Sequence, residues 1–243
     1  KNYKSNHIFL RNKKYFNWSF KSGSYYNIAI LSFKNKIISF ISFYNLFHYD
    51  NNLRKDLLFL SLAYTYKNVI PGQFFLLLKY LKKEKKVSCF LTNPNDHAIN
   101  LNKKIGFRFF KLDHFFFKSK KKISGIGKIS KFNLISLKLN NYKKNCKQFF
   151  FEDFKLINNY IFNFQFPKKS KKYLINKYVK HPIFEYIFLG YFKNRKIQSI
   201  LILRVQIYKN KKIGRIVEFI GEQKNIIRFN FILHQILKKF NLE

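Results

Sequence analysis

Ionisable side chains able to move a proton are scarce in this chain. Eleven Asp and Glu stand against 49 Lys and Arg in 243 residues, a formal net charge of +38. A general base for group transfer must therefore come from a short set of residues. Asp50 follows a run that reads as a strand, and His48 and His114 lie beside aromatic residues; these are the candidate bases. Asp113 precedes His114, but neighbours on a strand face opposite ways and form no direct dyad. A second group lies near the other end: His181 before Pro182, then Tyr186, Arg204, Arg215 and Glu218. Arg204 interrupts an apolar strand (LILRVQI), and Arg215 and Glu218 share the next (GRIVEFIG). A buried arginine requires a carboxylate or an anionic ligand. Two outcomes are open: Arg204 or Arg215 grips a phosphate or carboxylate of a sugar substrate, or an Arg–Glu pair pins two strands together. No His, Cys and Asp spacing matches a metal site, so no metal is expected. Cys89 reads as a small hydrophobe within a buried strand.

The elements that position these residues follow from hydrophobic periodicity. Runs 25–33 and 36–44 are β-branched and aromatic, and Lys34-Asn35 between them reads as a hairpin turn. Run 57–66 is almost continuously apolar, the pattern of a central strand covered on both faces. KNVIPG then breaks the chain, and in 73–83 Phe74, Leu77, Leu78 and Leu81 fall at helical spacing. A short buried strand (87–92), a helix (95–104) ended by Gly106, and closing strands over 107–117 complete the first half. A strand feeding Pro71-Gly72 and then a helix N-terminus is suited to an anion; an ordinary strand-to-helix turn has the same pattern. The basic stretch from Lys118 marks a boundary, giving modules at 1–118 and 149–243 joined by 119–148. In the second module 149–164 and 170–180 read as helical, then strands at 187–192, 199–208 and 214–220, and a helix over 225–240. The fold class expected is α/β, or α+β by stricter sorting.

Composition excludes several classes. With 47% hydrophobic and 20% aromatic residues the chain is not of the disordered type. Two cysteines, Cys89 and Cys146, exclude a disulfide framework and a four-thiolate zinc site. Run 57–66 is about half the length of a membrane-spanning helix, and the first residues carry no signal-peptide core, so a cytoplasmic protein with no membrane span is expected. The charge invites a nucleic-acid partner. Only seven of the 49 basic residues are arginine, however, and Lys, Asn, Ile, Phe and Tyr share A/T-rich codons, so the charge reads mainly as compositional bias on a solvated surface. Nucleic acid stays a possible partner, through stretches such as FRFFK and HFFFKSKKK where aromatics alternate with cations. A non-catalytic RNA- or ribosome-associated binding protein is thus the alternative from a different class. The chain has no methionine, even at position 1, which predicts a portion of a longer protein.

Asn93-Pro94-Asn95, Ala98, Leu101, Lys104 and Gly106-Phe107 spell N-P-N-x-x-A-x-x-L-x-x-K-x-G-F. This resembles the late motif of the GNAT (N-acetyltransferase) superfamily. IPGQFFLLLKYLKK and KLDHFFF in the first half, with KYVKHPIFEYIFLGYF, SILILRV and GRIVEFIGE in the second, are similar to a branch associated with bacterial surface-polysaccharide loci. The resemblance implies two acyltransferase-like modules in tandem, the second incomplete, each a mixed sheet flanked by helices. It implies acyl-CoA, most simply acetyl-CoA, in a splay between two central strands. The pantetheine arm would pair with Leu62, Ala63 and Tyr64, and the pyrophosphate would sit around Pro71, Gly72, Gln73 and Phe74, with Asn95 nearby. The implied reaction is acetyl transfer to an amine, such as an amino sugar or glycan precursor, with His181, Tyr186, Arg204, Arg215 and Glu218 as substrate contacts. Two departures stand out. Phe74 replaces a glycine of the family loop and is expected to crowd the phosphates unless it turns into the core. Asn102 stands where the family carries its Tyr acid, which opens a further reading, a pseudo-acyltransferase.

Overall fold

The computed structural model describes residues 7–66, 72–93, 96–109, 145–208 and 211–242. The chain is mixed α and β, and it divides into two compact units, Lys1–Asp113 and His114–Glu243.

The first unit opens with two short helices, α1 (Ile8–Arg11) and α2 (Lys13–Phe20). The Asn12 side chain accepts the Tyr15 N–H at 2.9 Å and so starts α2. A two-stranded ribbon, β1 (Lys21–Ser22) and β2 (Tyr25–Tyr26), leads into the main sheet. There β3 (Ile28–Phe33) and β4 (Lys36–Tyr44) form a hairpin. Its turn residues Lys34 and Asn35 both take positive φ, 48° and 60°, the twist that a two-residue hairpin requires. Strand β5 (Leu57–Thr65) runs antiparallel to β4. Helix α3 (Gln73–Glu84) then returns the chain so that β6 (Cys89–Thr92) lies parallel to β5. The sheet order is β3-β4-β5-β6. Leu77, Leu78 and Leu81 of α3 pack on Ala29, Ile41, Phe43 and Leu58, the core of this unit. Helix α4 (Asp96–Lys104) ends where Gly106 takes φ 94° and the Phe107 N–H returns to the Asn102 carbonyl at 3.0 Å. The closing strands expected over 107–117 find no strand at 107–109, and the rest of that run lies outside the described residues.

The β4–β5 register shifts between Ile41 and Phe43, so β5 carries one extra residue there. Ser42 Oγ accepts the Leu62 N–H at 2.9 Å and takes the place of the lost ladder bond. The bulge turns the strand over. Leu58 and Leu60 face α3, whereas Leu62 and Tyr64 line the opposite side of the sheet.

The second unit is an antiparallel meander in the order β10-β9-β8-β7. Its strands are β7 (Cys146–Phe149), β8 (Ile187–Lys193), β9 (Lys196–Tyr208) and β10 (Lys211–Gly221). Strand β7 begins three residues before the expected start of this module and pairs with β8. The region 149–164, expected as helix, instead follows β7 with two 3-10 segments, Phe151–Leu156 and Asn159–Phe164. Asp153 accepts the Phe150 N–H and Asn158 the Tyr160 N–H, local bonds that compete with a continuous helix. Helix α5 (Lys171–Leu174) runs on into a π-helical turn, Ile175–Val179. A 3-10 segment (Gln223–Phe229) precedes α6 (Asn230–Lys239) where one helix was expected. One sheet face buries Leu189, Leu201 and Leu203 against Phe229, Leu233 and Ile236. The other carries Phe149, Phe154 and Phe188, whose ring centroids lie 5.3–5.7 Å apart.

Candidate functional site

In the first unit the site is built from backbone. Strand β6 pairs with β5 only from Leu57 to Leu60. Beyond that point Ser61–Thr65 is bonded to β4 alone among the described residues, leaving an open edge inside the sheet. The continuous apolar run is therefore a covered central strand only in its first half; Ser61 and Ala63 are exposed. Close in sequence to this edge, α3 starts at Gly72, whose φ of 72° is open to glycine at little cost. Among the described residues no side chain caps α3, and no acidic residue stands in its first turn to offset the positive end of the helix. Gln73 is buried, 2% exposed, and its Nε2 donates to the Tyr66 carbonyl at 3.0 Å. That bond ties the helix start to the end of β5. Gln73 Oε1 has no hydrogen-bond partner.

Phe74 does not crowd this region in the way its position predicts, because its ring packs against the core with Leu77 and Leu78. Pro71 and Asn95 lie outside the described residues. On the sheet face carrying Leu62 and Tyr64 runs an apolar groove of about 510 Å³, walled on its other side by Phe9, Leu10 and Phe16.

Of the candidate bases, His48 and Asp50 lie in this unit and are engaged in local hydrogen bonds. His48 Nε2 lies 2.7 Å from the Trp18 carbonyl, and burial holds the ring below its ordinary pKa. Asp50 is 3% exposed and accepts the Asn52 N–H at 3.0 Å, closing a turn. His114 lies outside the described residues. Asn102 is buried, 4% exposed, within α4. Cys89, expected inside a buried strand, is exposed; among the described residues β6 pairs with β5 alone.

In the second unit side chains converge. Strand β8 pairs with β9 as far as Ile187 and Leu203, so Arg204 is the first residue of β9 past the end of β8. The segment leading into β8 folds over it. The Arg204 guanidinium lies 4.1 Å from the Phe184 ring centroid, and the Phe184 and His181 rings meet in a tilted pair with centroids 4.9 Å apart. His181 in turn contacts Tyr186 at 5.5 Å, and Tyr186 contacts Tyr178 at 4.9 Å. The β9–β10 register shifts between Ile216 and Glu218, which sets Arg215 opposite Arg204 and Glu218 opposite Ile202. Cross-strand partners share a face, so the bulge brings Glu218 to the side that bears Arg204. The Arg–Glu strand pair does not form, however. Glu218 accepts hydrogen bonds from Lys169 Nζ and from the Tyr178 hydroxyl. Arg204 Nε is buried without a hydrogen-bond partner, and Arg215 is exposed.

Of the five residues singled out here by sequence, His181, Tyr186, Arg204 and Glu218 thus join one contact chain, with Arg215 at its margin. Lys169, Tyr173, Lys177, Tyr178 and Phe184 were missed. Lys177 Nζ donates to the Tyr173 hydroxyl and lies 5.3 Å from the Tyr178 ring centroid. Burial lowers the Lys177 ammonium to about 7, with the Lys169 charge adding to the effect. Burial brings Lys169 to about 8, and burial together with the Arg204 charge brings His181 to about 4. Tyr173 and Lys177 have the four-residue spacing of helical neighbours, but one lysine among so many carries little signal.

Among the described residues no group of three His, Cys, Asp or Glu is placed to hold a metal ion, and no helix is long and apolar enough to cross a membrane. No protein-family model matches the chain, and no curated protein does.

Proposed function

We propose that the chain is an acyl-CoA-dependent N-acyltransferase of the GNAT type, moving an acetyl group from its thioester to an amine, such as an amino sugar or surface-glycan precursor, in the cytoplasm. The observation that carries the reading is the open β5 edge at Ser61–Thr65, followed by a helix whose uncapped N-terminus starts at Gly72. A pantetheine arm carries amides that add to such an edge as a strand does. A pyrophosphate suits the free N–H groups of the first turn of α3. Gln73, at the first position of α3 and bonded through Nε2 to the Tyr66 carbonyl just past β5, would hold the two parts in register. In the reaction the amine attacks the thioester carbonyl, the carbon–sulfur bond breaks, the amine loses a proton to a base and the thiolate gains one.

The structural engagement of His48 and Asp50, with the burial of Asn102, favours a second reading, a protein that holds acyl-CoA without turning it over. Calorimetric titration with acetyl-CoA tests both. Binding is expected; absence of heat at millimolar ligand overturns both readings. Binding without thiol release in the presence of amino sugars leaves the second.

A further inference from the structure

We propose that the second unit contains an oxyanion-binding site centred on Arg204, taking the phosphate or carboxylate group of a small molecule. This site is separate from the acyl-CoA reading, because it uses no residue of the first unit.

Three observations carry it. First, Arg204 has an interior Nε–H with no acceptor. A guanidinium stays charged in proteins, so burial does not relieve it by proton loss, and an unmet charged donor is costly. Its guanidinium lies over the Phe184 ring, which orients the plane but supplies no negative charge. Second, Arg215 stands directly opposite Arg204 on the paired strand. Like charges facing each other across a ladder are destabilising unless something lies between them. Third, the local carboxylate is already engaged. Glu218 is held by Lys169 and Tyr178, while Lys177 adds a further cation on the same contact chain. Among the described residues, Glu218 is the carboxylate bonded into this contact chain, and its bonds go to Lys169 and Tyr178 rather than to Arg204 or Arg215.

An anion would meet the unpartnered Nε–H of Arg204 and lie between it and Arg215. A planar carboxylate or a phosphate matches the fork of Arg204 with two parallel hydrogen bonds. The site has a way in: Arg204, His181, Phe184 and Tyr186 are only half-buried, and Arg215 is exposed. A π-helical turn, a frequent mark of functional positions, presents Lys177 and Tyr178 to it.

The test uses the full chain, with inorganic phosphate and acetate as separate probes at constant ionic strength. The readout is the Arg204 Nε–H resonance, assigned by its loss in the variant Arg204→Gln. A saturable shift is expected, and the probe that saturates at lower concentration identifies the preferred group. By calorimetry Arg204→Gln weakens that probe at least tenfold, and Arg204→Lys, which keeps the charge without the fork, also weakens it. Gln73→Ala leaves the probe's affinity unchanged, and Arg204→Gln leaves acetyl-CoA binding unchanged, so the two sites fail separately. A non-saturating response to both probes overturns the proposal, since a lysine-rich surface then accounts for all anion binding. Undiminished affinity in Arg204→Gln overturns it as well. If that variant does not fold, the exposed position decides: Arg215→Gln is expected to weaken the probe at least threefold, and no change there counts against the site.

Discussion

Both units are built on four-stranded sheets, yet they offer different chemistry. In the first, a crossover helix makes β5 and β6 parallel, and the two strands part company after Leu60. What its described residues present is main chain: an open strand edge and an uncapped helix start. In the second, hairpins join every pair of neighbouring strands from β8 onward and the ladder is antiparallel throughout. Its backbone is consumed by the meander, and what remains for chemistry is side chains held by a loop, a π-helical turn and a bulge. Connectivity decides this. A parallel pair needs a long return, and the end of that return is where main-chain donors are left over.

If the two units are independent cores, removing volume from one should leave the other intact. Leu201 and Ile41 are fully buried at the centres of their sheets. Leu201→Ala is expected to destabilise the second unit by about 2–5 kcal/mol, and Ile41→Ala the first by a similar amount. Denaturant unfolding followed by hydrogen exchange should show protection lost in one unit at a time; simultaneous loss in both would merge them into one cooperative body.

The side-chain character of the second unit has a stability signature of opposite sign. Lys177→Met removes a buried ammonium and is expected to stabilise by about 1–3 kcal/mol at pH 7. The folded-state value of about 7 lies below the ordinary 10.5, so between these the unfolded chain holds more protons. Stability should therefore rise with pH across that window, and the rise should be smaller in the variant. Thermal unfolding from pH 7 to 10 checks both, with Lys169, lowered to about 8, and Glu218, Tyr173, Tyr178, His181 and Arg204 unchanged in each.

Smaller effects probe the main-chain character of the first unit. Gly72→Ala forces a left-handed residue onto a side chain that meets no other atom within 4 Å, so about 1 kcal/mol is expected from backbone conformation alone. Acetyl-CoA affinity should fall with it. Ser42→Ala removes the acceptor for the Leu62 N–H at the bulge and should cost about 1 kcal/mol. If chemical-shift changes in Ser42→Ala fail to reach Ser61–Thr65, the bulge does not set the course of the open edge.

Local signals were legible in the sequence where they are strictly local. Lys34-Asn35 announced its turn, Gly106 the end of α4, and the three long strands of the second unit were readable from periodicity. Run 57–66 misled because composition cannot register a bulge: Leu60 and Leu62 differ by two positions and so read as one face. Phe149–Phe164 misled for another reason, since Asp153 and Asn158 bond their own neighbours and divide an apolar run into short turns. At the site, Arg204 stood out because an arginine in an apolar strand breaks pattern. Lys169 and Lys177 broke none. Their significance is a matter of where the chain buries them: Lys169 against Glu218, whose position the β9–β10 bulge sets, and Lys177, on the π-helical turn, beside Tyr173.

The open stretch of β5 also bears on how copies of this protein behave together. An exposed strand edge is a template on which a second copy can add its own strand, the first step of edge-to-edge aggregation. At +38 each molecule repels its like, and that repulsion acts over only about 10 Å at 0.1 M salt. The lysines thus act as a colloidal guard on a backbone feature. The protein should stay dispersed at low ionic strength and begin to self-associate as salt is raised, the reverse of what a purely ionic attraction would produce.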